Sequence, residues 1–214
     1  YEREEGRLNP FVLDTELKLK LTEQQTIAIE KIQGFWKEKK PVLLHGVTSS
    51  GKTEVYIQLI KDCIQQGKQA LFLVPEIALT TQLVNRLKAH FGDQMGVYHS
   101  RFNDNERVET WNAILGIHKY SKFKLIVGAR SSLFLPFDNL GLIIVDEEQE
   151  NSFKQFDPEP RYHARDVAIV AAYISKANIL MGTATPSYES YDNALKEKYG
   201  LVEMKQRFGN REMP

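Results

Sequence analysis

The sequence predicts an α/β fold in which a doubly wound, mostly parallel β-sheet is covered by helices on both faces. Short, continuous apolar runs alternate along the chain with longer segments of helical periodicity, a pattern typical of parallel strands buried on both faces. One such run, at 42–45, leads into a glycine-containing turn, and another, at 142–146, ends in acidic residues. Polar groups that follow parallel strands meet in the crevice at the carboxyl ends of those strands, which is where ligands bind.

Each element follows from apolar periodicity and from the residues that interrupt it. A helix is predicted over 23–37 because apolar side chains recur there at near-helical spacing behind Thr22, a suitable N-cap. Continuous apolar runs predict strands at 42–45, 69–74, 96–98, 124–127, 142–146 and 179–181. Further helices are predicted over 54–66, 78–90, 103–117, 165–175 and 188–198. The helix over 103–117 is expected to turn Val108, Trp111, Ile114 and Leu115 inward.

Length, charge and composition restrict the functions that are possible. The 214 residues include 28 Lys plus Arg and 28 Asp plus Glu, so the net charge is zero and any DNA-binding surface must be a local patch. The single cysteine, Cys63, excludes an internal disulfide and a cysteine-rich zinc site, and it is better explained as a small buried hydrophobe than as a reactive thiol. No apolar run approaches the length of a membrane span, and the first residues do not resemble a signal peptide. A cytoplasmic protein without a membrane partner is therefore expected.

The segment 41–53, PVLLHGVTSSGKT, matches the phosphate-binding pattern of Gly, four residues and Gly-Lys-Ser/Thr. It lies between a predicted strand and a predicted helix, and this context makes a chance glycine loop the weaker alternative. Backbone N–H groups of such a loop and the positive end of the helix dipole hold polyphosphate. Lys52 is expected to reach the β- and γ-phosphates and Thr53 to ligate Mg²⁺. The rest of the predicted nucleotide-binding loop is Gly46, Thr48, Ser49, Ser50 and Gly51.

Acidic residues follow the predicted strand at 142–146, on the edge of the sheet that should also hold the phosphate loop. Asp146 is expected to bind Mg²⁺, and Glu147 to orient and deprotonate the attacking water. These two acids and Lys52 are the candidate catalytic residues. An acidic turn after a strand is a common structural feature, so the assignment depends on the pairing with the loop. The segment 182–187, GTATPS, also follows an apolar run, and taken by itself it is better explained as a strand-to-helix N-cap.

The chain resembles the superfamily 2 helicases, and in detail the PriA family of bacterial replication-restart DNA helicases. The matching segments occur in the order and approximate spacing of the family, over about 21–211: GVTSSGKTEVY, LVPEIALTTQ, YHSRFNDNERVETW, VGARSSLFLPF, VDEEQENSFKQ and GTATPS. The resemblance implies a RecA-like, P-loop NTPase first helicase lobe over 21–205, which binds ATP or ADP with Mg²⁺ and couples hydrolysis to 3′-to-5′ movement on DNA. Residues 1–20 are then expected to be a connector from an upstream DNA-binding region, and 206–214 the start of a connection to a second lobe.

The resemblance also implies roles for single residues. Gln25 is expected to recognise adenine. Contacts with DNA are implied for Pro75, Glu76, Thr80, His99, Ser100, Glu106, Arg107, Gly128, Arg130 and Ser131. Coupling of hydrolysis to movement is implied for Gln149, Arg161, Thr183 and Thr185.

The segment 153–156, FKQF, resembles the aromatic-rich loop that links DNA binding to ATP hydrolysis in this family. Phe153, Lys154 and Phe156 are expected to contact DNA. The two phenylalanines are predicted to stack on bases, because a polar, proline-containing loop offers them no core to enter. The alternative is a loop that folds on its own aromatic side chains.

Two positions depart from the family pattern. Ser49 stands where members usually have Gly, which adopts a positive φ without steric cost, so a strained loop is expected there. Gln149 replaces the usual His after the acidic pair; its amide can donate and accept hydrogen bonds but cannot titrate. Hydrolysis is expected to survive both changes.

The family implies parts that lie beyond this chain: a second lobe that supplies arginines to the transferring phosphoryl group, a zinc-binding cysteine cluster and upstream DNA-binding domains. This lobe alone is therefore expected to bind nucleotide and hydrolyse little. Implied partners are forked or single-stranded DNA, primosome proteins and single-stranded-DNA-binding protein, with the chain as a monomer. The alternatives are the first lobe of another superfamily 2 DNA translocase or repair helicase, a non-catalytic nucleotide- and DNA-binding module and, less well supported, a small-molecule kinase.

Overall fold

The computed structural model describes residues 20–99, 102–117 and 122–206. In this part of the chain, none of the helices combines the length and apolar character that a membrane crossing requires. The strands are β1 (Val42–Gly46), β2 (Gln69–Leu73), β3 (Met95–Tyr98), β4 (Leu125–Gly128), β5 (Leu140–Asp146), β6 (Lys154–Gln155), β7 (Tyr162–His163), β8 (Asn178–Thr183) and β9 (Gly200–Met204). The α-helices are α1 (Glu23–Lys37), α2 (Lys52–Gln65), α3 (Thr81–Phe91), α4 (Asp104–Leu115), α5 (Ala164–Ser175) and α6 (Tyr188–Leu195). The predicted connector at 1–20 and the predicted link at 206–214 lie outside the described residues, apart from Lys20 and Gln206.

The predicted doubly wound α/β architecture is confirmed. Seven strands form one sheet in the order β3-β4-β2-β5-β8-β1-β9, and every paired neighbour is parallel. Because the strands are parallel, their carboxyl ends share one edge of the sheet. The phosphate loop after β1 and the acidic residues after β5 therefore open onto the same crevice.

Apolar side chains on the two faces of the sheet form two cores. Leu44 and Phe72 point into the first core with residues of α1, α2 and α3, whereas Leu43 and Leu71 point into the second core with residues of α5 and α6. This alternation is the period of two expected of strands that are covered on both sides. Cys63 lies in the first core, where burial raises the pKa of its thiol to about 11, which confirms its interpretation as a buried hydrophobe.

Local signals determine where the helices start. Thr22 caps α1 in a capping box with Gln25, as the sequence indicates. The helix predicted over 78–90 starts later, at Thr81, because a 3₁₀ turn (Glu76–Ala78) comes first and the Thr80 hydroxyl accepts a hydrogen bond from the Leu83 N–H. The first turn after β2 is thus a tight connection that keeps α3 close to the crevice.

The structure corrects the sequence prediction in three places. Val108 and Trp111 are exposed rather than inward, because the buried stripe of α4 is Thr110, Ala113 and Ile114. The edge strand β9 was not predicted, since only its alternate residues are buried and its apolar run is short. The small antiparallel pair β6–β7 was also missed, because each strand has two residues and no periodicity to detect.

Candidate active site

The phosphate loop connects β1 to α2, and two of its residues take left-handed backbone conformations. Gly51, the N-cap of α2, has a φ of 85°, and Ser49 has a φ of 63°. Glycine adopts this region freely, whereas a side chain there costs about 1 kcal/mol or more. The predicted strain at Ser49 is therefore confirmed. The helix begins at Lys52, so its unpaired N–H groups and positive dipole end face the loop.

A cavity of about 360 Å³ lies in front of the loop. Residues 48–54 line it together with Asp146 and Glu147, which brings the two halves of the predicted site together. Arg86 of α3 also lines the cavity and forms an ion pair with Glu54, the third residue of α2. The sequence analysis missed Arg86, because an arginine on an amphipathic helix carries no motif.

Lys52 and Ser50 place two different polar groups within the phosphate loop. The Lys52 ammonium donates a hydrogen bond of 2.9 Å to the Gly46 carbonyl oxygen. The Ser50 hydroxyl is buried and makes no hydrogen bond to any described residue. Since buried hydroxyls in proteins nearly always find a partner, Ser50 is a donor available to a ligand of the loop.

Asp146 ends β5 with its carboxyl group enclosed beside the loop. Its Oδ1 accepts a 2.8 Å hydrogen bond from the hydroxyl of Tyr56, a fully buried residue of α2. Burial raises the pKa of Asp146 to about 6, even though the hydrogen bond from Tyr56 and the positive charge of Lys52 both lower it. Burial also raises the pKa of Tyr56, which remains a hydrogen-bond donor.

Glu147 is linked by hydrogen bonds to the carboxyl end of β8. Its Oε2 accepts from Gln149 Nε2 at 3.0 Å, and Gln149 Oε1 accepts from the Thr183 hydroxyl at 2.6 Å. The Thr183 oxygen in turn accepts from the Thr185 N–H at 2.9 Å. Gln149 can occupy this position because an amide donates at one end and accepts at the other. Glu147 itself has a φ of 50°, a strained conformation that such a network can hold in place.

Glu148, between Glu147 and Gln149, is completely buried and was not predicted as a site residue. Its carboxylate forms an ion pair with Arg165 Nη1 at 3.0 Å, where α5 begins. It also accepts from the backbone N–H and the hydroxyl of Ser187 and from the hydroxyl of Ser190, at 2.8–3.0 Å. These contacts attach the turn after β5 to α5 and to the first turn of α6. The sequence gives no signal for this role, because the residue looks like one more acid in an acidic turn.

Gln25 lies beside the phosphate loop, but its side chain is fully buried. Its Oε1 accepts from the Thr22 N–H at 2.7 Å, and its Nε2 donates to the Gly51 carbonyl oxygen at 3.1 Å. In this structure, therefore, Gln25 joins α1 to the loop and does not present its amide to a base. The expectation that Gln25 recognises adenine stays a prediction.

The residues expected to touch DNA follow the carboxyl ends of β2, β3 and β4, on the same edge of the sheet as the cavity. Glu76 and Thr80 are exposed after β2, whereas Pro75 is buried and ends the strand, so it cannot contact a DNA backbone. Arg107 is exposed on α4 and donates to the Phe102 carbonyl oxygen at 3.1 Å. Ser131 is the second residue of a 3₁₀ turn (Arg130–Phe134), and its buried hydroxyl has no hydrogen-bond partner among the described residues. Ser100 lies outside the described residues.

The aromatic segment divides into a buried and an exposed part. Phe153 is only 1% exposed and belongs to the second core, so the prediction that this loop cannot enter a core is wrong for Phe153. A 3₁₀ turn (Asn151–Phe153) folds its ring inward. Phe156, in contrast, is 61% exposed, and the Lys154 ammonium lies 4.7 Å from the centre of its ring.

Arg130 and Phe134 extend this exposed surface. Arg130 Nη1 donates to the Lys154 carbonyl oxygen at 2.9 Å, which fixes the start of the β6–β7 hairpin against the turn after β4. Phe134, at the end of that turn, is 59% exposed, and its ring meets Tyr162 of β7 edge-on at 5.5 Å. Phe134 was not predicted, although it lies in the segment VGARSSLFLPF. Arg161, just before β7, is exposed beside this surface.

Comparison with known proteins identifies the family of the chain. The model of the DEAD/DEAH box helicase family matches residues 22–194, which include the loop, the acidic turn and the threonine segment. The chain belongs to the DEAD/DEAH box helicase family. The expectation of a first helicase lobe is confirmed by this match.

The helicase lobe is also similar to curated proteins named "Replication restart protein PriA". The lobe is 48% identical to the protein of Bacillus subtilis (strain 168) over 198 residues, and this alignment covers 92% of this chain and 24% of the relative. The protein of Haemophilus influenzae is 44% identical over 207 residues, 94% of this chain and 27% of the relative. The chain thus spans about a quarter of the length of these relatives. The resemblance to the restart helicases is confirmed.

Solved helicase structures share the fold of this lobe. The structure of RecG bound to a three-way DNA junction has a TM-score of 0.63 and 23% identity, over 90% of this chain and 25% of that chain. The Hef helicase domain of Pyrococcus furiosus has a TM-score of 0.60 and 14% identity, over 87% of this chain and 38% of that chain. At these identities the likeness concerns the RecA-like fold.

The residues of the cavity fit the nucleotide and Mg²⁺ that the helicase family implies. Mg²⁺ prefers oxygen ligands and is commonly held by one or two protein groups together with substrate phosphates. Thr53 and Asp146 line the cavity and offer such oxygens, and the Ser50 hydroxyl is an unpaired donor within the loop. Lys52 provides the positive charge for a polyphosphate.

Proposed function

We propose that this helicase lobe is the ATP-binding motor lobe of a DNA helicase that restarts stalled replication forks. The observation behind the proposal is that the phosphate loop, Asp146 and Glu147 line one cavity, while Gln149 joins Glu147 to Thr183. A site that only stored nucleotide would not need its water-activating acid to be connected to another segment. The curated relatives named for replication restart support the biological role.

Each residue of the cavity has a distinct task in this proposal. Lys52 leaves the Gly46 carbonyl and pairs with the β- and γ-phosphates, which the N–H groups of the loop also hold. Thr53 and Asp146 hold Mg²⁺, which when bound neutralises the charge that develops on the phosphates. Glu147 orients the attacking water and accepts its proton. Through the Gln149–Thr183–Thr185 hydrogen bonds, a movement of Glu147 shifts the end of β8 and the residues that follow it.

Turnover of ATP by the full-length protein tests the enzymatic part of the proposal. With forked DNA present, hydrolysis should rise, and Lys52→Ala should lower it by about 100-fold or more because a charge-stabilising donor is lost. Lys61→Ala removes a lysine of the same helix away from the cavity and should leave turnover unchanged. Equal rates for Lys52→Ala and the wild type would refute the proposed site.

We propose that single-stranded DNA crosses the exposed aromatic surface formed by Phe134, Phe156, Tyr162, Lys154 and Arg130. Exposed rings accept stacked bases of any sequence, and the two cationic side chains suit the phosphates. Glu76 and Thr80, together with Arg107 and Ser131, would follow the same strand along the carboxyl edge. Phe153 supports this surface from the core and has no stacking role.

Removal of the exposed rings tests this DNA surface. The double variant Phe134→Ala/Phe156→Ala should bind single-stranded DNA about 30-fold more weakly or worse, since each of the two stacked bases contributes about 1–3 kcal/mol. Fluorescence anisotropy at low and moderate salt would measure the affinity. Tyr173→Ala, a change to an exposed aromatic near the end of α5, should have no effect. An affinity that neither falls in the double variant nor weakens with salt would contradict the proposal.

By the same resemblance, we propose a cytoplasmic monomer that moves 3′ to 5′ on forked or single-stranded DNA and works with primosome proteins and single-stranded-DNA-binding protein. A second lobe would complete the ATP site, and zinc would be bound in other domains of the protein. The second candidate is a different superfamily 2 DNA translocase, favoured by the fold shared with RecG and Hef. Preference for forked over linear duplex DNA would distinguish restart from general translocation.

A further inference from the structure

Tyr56 places a buried hydroxyl directly against the acid that ends β5. The side chain is fully buried, and its hydroxyl donates to Asp146 Oδ1 at 2.8 Å. Tyr56 comes three residues after Thr53 on α2, so the two side chains lie on the same face of the helix. One helix thus supplies a proposed magnesium ligand and the group that contacts the other proposed ligand.

The neighbouring strand leaves space for this hydroxyl. Gly182 of β8 is paired in register with Asp146, and a Cβ atom built on Gly182 would overlap the Tyr56 oxygen. Any residue other than glycine there would push the hydroxyl away from the carboxylate. The glycine of the GTATPS segment therefore has a role in forming the Tyr56–Asp146 contact.

Packing fixes the orientation of the phenol. The Tyr56 ring meets Phe72 of β2 edge-on, with ring centres 5.4 Å apart, inside the first core. A ring confined in this way cannot follow a carboxylate that rotates. The hydroxyl is therefore a fixed donor, and the carboxylate has to turn Oδ1 towards it.

We propose that Tyr56 is a positioning residue of the magnesium site, which holds Asp146 Oδ1 so that the remaining lone pairs of the carboxylate face Mg²⁺ or its water shell. The inference rests on the proposed function. Hydrogen bonds to metal-binding carboxylates set their orientation, and their loss commonly weakens metal affinity or activity by about 10–100-fold. Tyr56 touches neither nucleotide nor water in this scheme and acts only through Asp146.

Binding of a fluorescent ADP analogue at a series of Mg²⁺ concentrations tests the inference. Tyr56→Phe keeps the ring and removes the hydroxyl. The variant should need about 10-fold more Mg²⁺ for half of the full response, while its affinity in EDTA stays within about 2-fold of the wild type. Tyr173→Phe removes the hydroxyl of a strongly exposed tyrosine near the end of α5 and should match the wild type. Gly182→Ala should raise the Mg²⁺ requirement in the same way as Tyr56→Phe. It replaces Tyr56→Phe as the test if the Tyr56→Phe protein does not fold.

Two results would overturn the inference. One is a Tyr56→Phe protein with the Mg²⁺ requirement of the wild type. The other is an equal loss of affinity in EDTA, which would mean that the hydroxyl supports the phosphate loop and not the carboxylate. In both cases the wild type still binds nucleotide, so the proposed function stands. A wild type that binds no nucleotide would instead refute that function.

Discussion

Replacement of Glu148 by alanine is expected to lower the free energy of unfolding by about 3–5 kcal/mol. The change leaves the Arg165 guanidinium largely buried without its Glu148 partner, and it also removes the acceptor of the Ser187 and Ser190 hydrogen bonds. Removing one partner of a buried pair is costly because the remaining charge stays desolvated. Urea unfolding of the wild type and of the variant would measure the difference.

Two further variants separate the ion pair from the site as a whole. Glu148→Leu combined with Arg165→Met fills the space with apolar groups and should recover the part of the lost stability that is due to the unpaired charge, while Ser187 and Ser190 still lack their acceptor. Glu189→Ala, at an exposed acid in the first turn of α6, should change stability by less than about 0.5 kcal/mol. A Glu148→Ala protein as stable as Glu189→Ala would show that the pair contributes nothing.

The ion pair between Glu148 and Arg165 also explains how the acidic turn keeps its position relative to the phosphate loop. Glu147 lines the cavity, Glu148 is buried and bonded to Arg165 of α5, and Gln149 is bonded to Thr183 at the end of β8. The turn after β5 is therefore attached to two different segments. Arg165 belongs to the helix that starts directly after β7, next to the exposed aromatic surface. A displacement of the β6–β7 hairpin would therefore shift the start of α5 and, through the Arg165–Glu148 ion pair, the acidic turn after β5.

The sequence predicts the phosphate loop and the acidic turn because their chemistry depends on local features. A phosphate is held by backbone N–H groups, so the glycines and the strand–loop–helix order that shape the loop are visible in the chain itself. The helix starts at Thr22 and Asn103 are local for the same reason, since each cap binds within its own first turn.

Features that depend on distant partners could not be predicted in this way. Tyr56 looks like an ordinary core residue of an amphipathic helix until Gly182 and Asp146, far along the chain, are placed beside it. Phe153 was assigned to DNA because its neighbours are polar, whereas a single turn folds its ring into a core that other elements build. Local composition therefore misleads wherever tertiary packing decides burial.

Replacement of Glu147 by glutamine is expected to reduce the rate of ATP hydrolysis by about 10²–10⁴-fold in the full-length protein. The amide has the shape of the carboxylate and can still accept a hydrogen bond from Gln149, but it cannot take a proton from the attacking water. Affinity for ADP should stay within about 3-fold of the wild type, because Glu147 is proposed to act on the water and not on the phosphates. Steady-state turnover and equilibrium binding would measure the two quantities separately.

The contrast with neighbouring acids makes this expectation specific. Glu150→Gln changes an acid three residues further along that lines no part of the cavity, and it should retain wild-type turnover. Glu147→Gln that lost ADP binding as well as turnover would mean that the acid supports the loop, whereas a variant with full turnover would mean that another group is the base. Glu147 has a positive φ and is hydrogen-bonded to the Gln149–Thr183 chain, so these contacts can hold its strained conformation in place.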